Sequence, residues 1–245
     1  TVAEAEAMCA AAKASGKHLV VGFQWRFGAK AVYLRKQVEA GVFGRIQYVR
    51  VQALRRRGIP SWGVFTDKAK QGGGALIDIG VHILEMTHAI IGKPRPTTAS
   101  AAAYTAIGNR APEVACPWGP WKHENYTVED LAMGFLRFDS GVSMSVETSF
   151  ATHIEKDVWN IQIIGEKAGA TFEPLQLFTD QGGYMVNTTP HFIGNQDGFV
   201  EKMKHFAEVC RGERANECPG EDGLAIQRIL NGLYDSAAKG REVAL

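Results

Sequence analysis

A helix that is apolar on nearly every side is the feature that most constrains this fold. Residues 72–91 read GGGALIDIGVHILEMTHAII, and polar side chains interrupt the aliphatic run at only a few positions. A helix of this composition has to be enclosed by other elements over most of its surface. The rest of the chain must therefore supply a broad layer that covers it.

Three titratable residues of this helix share one side. With about 100° per residue and Asp78 at zero, His82 lies about 40° to one side and Glu85 about 20° to the other. Such a stripe faces either water or a cleft. We favour a cleft, because an ordinary surface helix has a broad polar face. A histidine beside a carboxylate is suited to exchange a proton with a ligand. Gly74 and Ala89 extend the stripe with small residues that permit close approach.

The same three side chains suggest a metal site as another interpretation. No further His or Cys stands at a helpful spacing, so the sequence predicts no metal. The formal net charge of +1 argues against electrostatic capture of nucleic acid and favours a small-molecule partner. No apolar run approaches the roughly 20 residues of a membrane span. The four cysteines form no CxxC pair, so we expect reduced thiols and a cytoplasmic location.

Alternating segments after the apolar helix predict an open sheet. The turns at residues 139–141 and 165–169 join neighbouring runs as hairpins, so these strands should be antiparallel. The predicted strands are residues 18–22, 45–54, 98–104, 131–138, 142–150, 159–165 and 170–178. The other predicted helices are residues 2–15, capped by Thr1 and Glu4, then 29–39, 198–211 and 222–239.

Two long connections contain residues suited to ligand binding. Residues 55–71 include three consecutive arginines, which either form a solvated rim or include one that faces an anionic or polyhydroxylated ligand. Residues 106–127, which include CPWGPWKHENY, are too irregular for a regular element and too long for a plain connection. We interpret them as a pocket wall, with a surface excursion packed on tryptophans as the alternative.

Six stretches together resemble one enzyme family in their order and approximate spacing. The chain resembles the C-terminal part of the glucose-fructose oxidoreductase, inositol dehydrogenase and MocA family of NAD(P)-dependent sugar and polyol oxidoreductases. The glycine run followed by DxGxH is the most specific of these motifs. The stretches are VGFQWRF (21–27), GVFGRIQYVR (41–50), GGGALIDIGVHILE (72–85), VEDLAMGFLRFDSG (128–141), IIGEKAGA (163–170) and the closing LYDSAAKGREVAL.

The resemblance implies an α+β fold of two layers, with a large, mostly antiparallel open sheet covered by helices on one face. Family members place a Rossmann domain before it, but this chain has no GxGxxG after a strand and lacks the family's Glu-Lys-Pro motif. We therefore expect residues 1–22 to be the last helix and strand of a missing dinucleotide-binding domain. Residues 23–245 would form the substrate-binding and oligomerisation domain, pairing through the sheet face as a homodimer or homotetramer.

The resemblance also implies roles for individual residues. His82 would accept the proton of a substrate hydroxyl, and Asp78 would lie beside it, with the family's lysine missing from the site. Gln24 and Arg26 would lie near the nicotinamide of NAD or NADP. Trp62 matches a family position near the cofactor or the substrate, and we expect it to contact the substrate. His153, which follows a predicted strand, would hydrogen-bond a sugar hydroxyl. For both residues the alternative is that the side chain only packs or faces solvent.

Three functions are compatible with this resemblance. The first is hydride transfer between NAD(P) and a secondary hydroxyl of a sugar, inositol or related polyol by the full-length enzyme, with the present chain inactive alone. The second is the family branch that hydrolyses glycosides by transient NAD-dependent oxidation, which would release sugar without net NADH. The third is a cofactor-free sugar-binding or assembly module. Substrate identity and the choice between NAD and NADP cannot be derived from these residues.

Overall fold

A two-layer α+β architecture is present in the computed structural model, which describes all residues 1–245. One layer is an open nine-stranded sheet and the other is helical. The helices are α1 (Val2–Ser15), α2 (Ala29–Glu39), α3 (Lys68–Gln71), α4 (Val81–Ile90), α5 (Gly198–Cys210) and α6 (Gly220–Lys239). The strands are β1 (Ile46–Leu54), β2 (Pro96–Tyr104), β3 (Leu131–Phe138), β4 (Ser143–Ser149), β5 (Val158–Gly165), β6 (Ala168–Thr171), β7 (Gln176–Gln181), β8 (Tyr184–Thr188) and β9 (Val243–Ala244).

The sheet runs in the order β8-β7-β6-β5-β1-β4-β3-β2-β9. Its neighbours pair antiparallel except for β1 and β4, which are parallel. The carboxyl ends of β1 and β4 therefore meet at the same edge. The mostly antiparallel open sheet predicted from the sequence is confirmed, and this one parallel pair determines which loops lie together.

The two faces of the sheet differ in polarity. Val49, Val51, Met144 and Val146 alternate toward the helical layer and are buried. Helix α4 packs on the central strands and α6 on β2, while α2 packs against α4 from outside. The opposite face, which no helix covers, carries a polar ladder along β1 and β4 in which Arg50 Nε donates to Glu147 Oε1 at 2.8 Å. This alternation agrees with a sheet covered on one face.

Several predictions of strands were wrong. The segment predicted as one strand over residues 170–178 is broken by a turn after Thr171, so that β6 and β7 form a hairpin instead. The pairs β7–β8 and β2–β9 were not predicted. Residues 18–22 form no strand, because the only ladder contact there is a single bridge between Val20 and Pro219.

The N-terminal helix forms as its sequence predicts. The Thr1 hydroxyl accepts from the Glu4 amide, and the Glu4 side chain reaches back to the cap residue, which completes a capping box. Helix α1 ends at Gly16, which adopts the left-handed conformation at φ 66°. It buries none of its residues and packs along α6. None of the helices combines the length and apolar character that a membrane crossing requires.

The long connection of residues 106–127 is irregular apart from the short 3₁₀ turn His123–Asn125. Its entry is fixed by Asp130, whose Oδ2 accepts from the amides of Ala106, Ile107 and Gly108 at 2.9, 2.6 and 2.8 Å. Three amides on one carboxylate oxygen hold the chain in a tight curve. The loop is thereby anchored at the edge where β1 and β4 end.

Candidate active site

The apolar helix begins with a π-helical turn, Leu76–Gly80, and continues as α4 from Val81. Single π-turns inside helices frequently occur at functional sites. This one contains Asp78 and ends two residues before His82. Because a π-turn is wider than an α-turn, the side-chain directions derived from 100° per residue do not hold through it.

Glu129, just before β3, holds the start of this turn. Its Oε2 accepts from the Gly74 amide at 2.9 Å, and its Oε1 accepts from the Leu76 amide at 3.0 Å and from the Tyr234 hydroxyl at 2.7 Å. The carboxylate is buried, so these charge-assisted bonds are shielded from water. They provide partners for amides that the first turn of a helix cannot satisfy itself.

Close packing explains two glycines of the motif. A Cβ on Gly74 would lie 2.1 Å from the carbonyl oxygen of Glu129, and one on Gly80 would lie 2.7 Å from Thr148 Cγ2 on β4. Both positions therefore require a glycine for the turn to sit against β3 and β4. The helix is enclosed as expected, with every residue from Ile83 to Ile90 buried.

Asp78 and His82 are half-buried and lie on the same short stretch of this helix. Burial raises the pKa of Asp78, and the positive charge of Arg55 opposes the rise. Burial lowers the pKa of His82, and the charges of Arg55 and Lys202 lower it further. The imidazole is therefore neutral at neutral pH. Its Nδ1 is buried without a hydrogen-bond partner, an uncommon state for a buried polar atom.

Arg55, the first residue after β1, is the arginine of the three whose charge acts on the pKa of both Asp78 and His82. Its Nη1 donates to the Gly58 carbonyl at 3.1 Å, and its guanidinium lies 4.2 Å from the ring centroid of Trp118. Trp62 stacks on Trp118 with centroids 5.5 Å apart and an interplanar angle of 21°. Trp62, Trp118 and Arg55 thus form a layered wall. Its outermost ring, that of Trp62, is 56% exposed.

Glu85 does not lie on a common surface with Asp78 and His82, contrary to the prediction of a three-residue stripe. It is 1% exposed and pairs with Arg26, whose Nε donates to Glu85 Oε1 at 2.6 Å and whose Nη1 donates to Asp222 Oδ2 at 2.7 Å. Burial raises the pKa of Glu85 to about 7, against the opposing charge of Arg26. Partners distant in sequence thus turn this carboxylate into the protein interior.

The two residues predicted to contact the nicotinamide are both buried. Arg26 is engaged by Glu85, Asp222 and the Glu217 carbonyl, which account for its charge within the chain. Gln24, with its amide oriented to satisfy both ends, donates to the Gly22 carbonyl and accepts from Trp25 Nε1, each at 3.1 Å. Their contact with a cofactor stays a prediction.

Trp25 was not singled out from the sequence, yet it is 42% exposed beside Gln24. Its ring packs against Trp159 and Phe199, with centroids 5.7 and 6.4 Å apart. Lys202, which acts on the pKa of His82, also lies on α5. The 3₁₀ turn Trp25–Phe27 and the start of α5 therefore border one surface near the imidazole.

His153 lies apart from the carboxylate and imidazole pair. It is exposed and lines a cavity of about 440 Å³ whose walls include Arg57, Ile107 and Trp121 but neither Asp78 nor His82. The pocket-wall interpretation of residues 106–127 therefore agrees with the structure for this cavity. Contact between His153 and the substrate stays a prediction.

Three residues of the site were missed or left ambiguous. Arg55 could not be distinguished from its two neighbours, because the end of β1 decides which of them points inward. Trp118 was considered only as packing for its loop. Glu129 has a signal in the sequence, because two consecutive acids, Glu129 and Asp130, stand directly before an apolar strand. Both are buried and both bind backbone amides.

A two-layer α+β domain with a half-buried carboxylate on a π-turn and a neutral imidazole on the following helix agrees with the class expected above, an oxidoreductase domain. The model described as "Oxidoreductase family, C-terminal alpha/beta domain", GFO_IDH_MocA_C, matches residues 35–245. The chain belongs to this family.

Relatives with established names support the same placement. D-glucoside 3-dehydrogenase of Escherichia coli K12 is 36% identical over 247 residues, which cover 100% of this chain and 70% of that enzyme. An oxidoreductase domain protein from Kribbella flavida matches in structure with a TM-score of 0.82 and 28% identity, covering 100% of this chain and 71% of that one. Levoglucosan dehydrogenase in complex with NADH matches with a TM-score of 0.80 and 24% identity, covering 100% and 70%. The chain thus spans about 70% of the length of each of these three proteins.

Proposed function

We propose that this domain supplies the substrate site of an NAD(P)-dependent oxidoreductase that acts on a secondary hydroxyl of a sugar or polyol. The observation that carries the proposal is that His82 and Asp78, four residues apart and both half-buried, each have a pKa that the charge of Arg55 lowers, with the imidazole neutral. A glycoside is the favoured substrate class, since the E. coli relative is named as a D-glucoside dehydrogenase.

His82 acts as the proton acceptor in this proposal. Oxidation of a secondary alcohol removes a hydride from carbon and a proton from oxygen, and a bound nicotinamide supplies the hydride acceptor. A neutral imidazole is ready to accept the hydroxyl proton, because its lowered pKa keeps it unprotonated before the reaction. We assign this role to Nε2, since Nδ1 is enclosed by the protein. Asp78 then stabilises the imidazolium that forms.

Arg55 and its tryptophan wall position the substrate in this proposal. A guanidinium donates only, so Arg55 can bind a sugar oxygen while its charge keeps the His82 pKa low. The exposed ring of Trp62 and the edge of Trp118 offer an apolar surface for the carbon face of a sugar ring. This agrees with the predicted substrate contact of Trp62.

The residues present fit the nicotinamide end of a dinucleotide better than its phosphates. Trp25 offers an exposed flat ring, and Gln24 fixes that ring through the hydrogen bond to its Nε1. No glycine-rich phosphate loop follows a strand in the chain. We propose that these two residues border the nicotinamide and that residues 1–22 belong with a dinucleotide-binding domain. A structural relative is named in complex with NADH, which supports NAD over NADP.

The uncovered sheet face is our proposed contact between copies of the chain. Exposed apolar residues on this side of the sheet, Met133 and Ile164, flank the ladder of Arg50 and Glu147. Subunit interfaces combine apolar residues with hydrogen-bonded polar groups, and this face offers both. Four free cysteine thiols support a reducing, cytoplasmic location.

The test uses a protein in which this chain is joined to the proposed dinucleotide-binding domain. We expect His82→Ala to lower turnover of glycosides by at least about 100-fold, the lower range for loss of a general base. His191→Ala, at an exposed histidine beyond β8, is the matched control and should leave turnover unchanged. Thermal unfolding of both variants should match the parent. Turnover retained by a folded His82→Ala protein would remove His82 from the chemistry.

The same assay separates the hydrolytic alternative from the dehydrogenase. Accumulation of NADH with a ketone product supports the dehydrogenase. Release of free sugar without net NADH would instead support glycoside hydrolysis by transient oxidation. If the full-length protein binds neither a sugar nor a dinucleotide, the assembly module is the function that remains.

A further inference from the structure

The cavity that contains His153 offers polar groups that the proposed chemistry does not use. Its volume of about 440 Å³ falls within the range of small-molecule sites. Its lining includes Arg57, Arg110, Glu113 and Asp130, two cations and two carboxylates, so its formal charge is zero. Charge balance of this kind suits a neutral ligand that both donates and accepts hydrogen bonds.

Arg57 is held in place by the protein itself. Its Nη1 donates to the Arg56 carbonyl at 2.7 Å and to the Thr152 carbonyl at 3.0 Å, and its Nη2 lies 2.9 Å from His153 Nε2. Since a guanidinium can only donate, His153 Nε2 is the acceptor and the ring proton lies on Nδ1. The pair therefore presents further donors whose direction is fixed before a ligand arrives.

Asp130 supplies an acceptor deep in the same cavity. It is 1% exposed, and its three amide partners all bind Oδ2. Oδ1 is therefore free to accept a hydrogen bond from a ligand hydroxyl. Trp121 forms an aromatic wall, fixed because its Nε1 donates to the Gly108 carbonyl at 2.6 Å. Donors, a buried acceptor and an aromatic face together match the groups of a sugar ring.

We propose that this cavity is a second carbohydrate-binding site, for one neutral hexose-sized unit, separate from the Asp78 and His82 site. Arg57 and His153 donate hydrogen bonds to ring hydroxyl oxygens, Asp130 Oδ1 accepts a hydrogen bond from a hydroxyl, and Trp121 packs on the carbon face. The inference does not rest on the proposed function, since neither catalytic side chain lines the cavity.

Tryptophan indole signals distinguish the two sites in an NMR titration of the 245-residue chain with methyl β-D-glucopyranoside. Trp121 reports on the cavity, whereas Trp62 and Trp118 report on the candidate active site. We expect the Trp121 signal to shift with saturation. Shifts confined to Trp62 and Trp118 would overturn the second site while supporting the proposed function.

Variants test the residues involved. Arg57→Gln should weaken the binding seen at Trp121 about tenfold, the effect expected for one lost charge-assisted hydrogen bond. Arg56→Gln is the matched control, because Arg56 is adjacent but does not line the cavity. Unchanged binding in both Arg57→Gln and Arg110→Gln would overturn the proposal. So would tenfold tighter binding of glucuronate or inorganic phosphate, which would make the cavity an anion site.

Discussion

Removal of Arg26 tests whether this residue serves the fold. In Arg26→Met, Glu85 and Asp222 lose the guanidinium that bridges them, although Asp222 keeps Lys93 at 2.6 Å. Glu85, at 1% exposure, becomes the uncompensated group. Breaking a buried ion pair from one side costs about 3 to 5 kcal/mol. For a chain of this length that corresponds to a fall of about 10 °C in melting temperature.

The cost should depend on pH in a defined direction. The pKa of Glu85 is about 7 with Arg26 present and rises further without it, so the folded variant holds a neutral carboxyl. Folding then takes up a proton, and the variant loses additional stability relative to the parent as pH rises from 6 to 8. Urea unfolding at both values measures this, and the double variant Arg26→Met with Glu85→Gln should recover most of the loss at pH 8.

The control is Arg228→Met, which breaks an exposed pair with Glu6 at 2.7 Å and should cost less than about 1 kcal/mol. A loss at pH 8 no greater than that of the control would refute the buried-cluster reasoning. In that case a role for Arg26 at the cofactor would regain support.

Three further outcomes follow from the same geometry. The folded pKa of Glu85 lies above its unfolded value of 4.5, so its contribution to stability is present below pH 4.5 and is lost as pH rises toward 7. Glu85→Gln should therefore reduce the change of unfolding free energy with pH, measured by urea unfolding. An unchanged pH dependence would contradict this. Arg55→Gln removes a positive charge and should raise the pKa of His82 in an NMR titration, whereas Arg56→Gln should leave it alone. Gly74→Ala places a Cβ 2.1 Å from the Glu129 carbonyl oxygen and should lower the free energy of unfolding by about 2 kcal/mol or more. A smaller loss would show that the backbone of the turn shifts to accommodate the methyl group.

Elements with local signals were predicted well from the sequence. Strand β3 has the predicted bounds, residues 131–138, because Asp139-Ser140-Gly141 marks its hairpin turn. Helix α2 also matches its predicted bounds. In both cases the residues that end the element lie within it or next to it. No distant partner is needed to define such boundaries.

Elements without alternating burial were missed. In β8, Tyr184 is 76% exposed and Met185 is 92% exposed, so apolar residues give no face pattern there. The available signal was Gly182-Gly183, both with positive φ, between β7 and β8. Strand β9 has only two residues and exists through its pairing with β2. Such pairing depends on the whole chain.

The candidate site was predicted in part. Asp78 and His82 are four residues apart and both half-buried, as their spacing on one short stretch indicates, and their joint role in a site stays a prediction. Glu85 was grouped wrongly, since its partner Arg26 lies 59 residues earlier and the π-turn changes the side-chain directions. The role of Arg55 depends on where β1 ends relative to the helix, which sequence spacing does not define.

The lone parallel pair of strands has an evolutionary consequence. The segments that follow β1 and β4 both emerge at one rim of the sheet. Glu129, just before β3, holds the start of the π-turn through the Gly74 and Leu76 amides, whatever the length of those segments. Insertions in those segments can therefore change what this rim binds without displacing His82, the proposed proton acceptor. Divergence in this lineage should therefore concentrate after Leu54 and Ser149, and new specificities should be obtainable by exchanging those two segments alone.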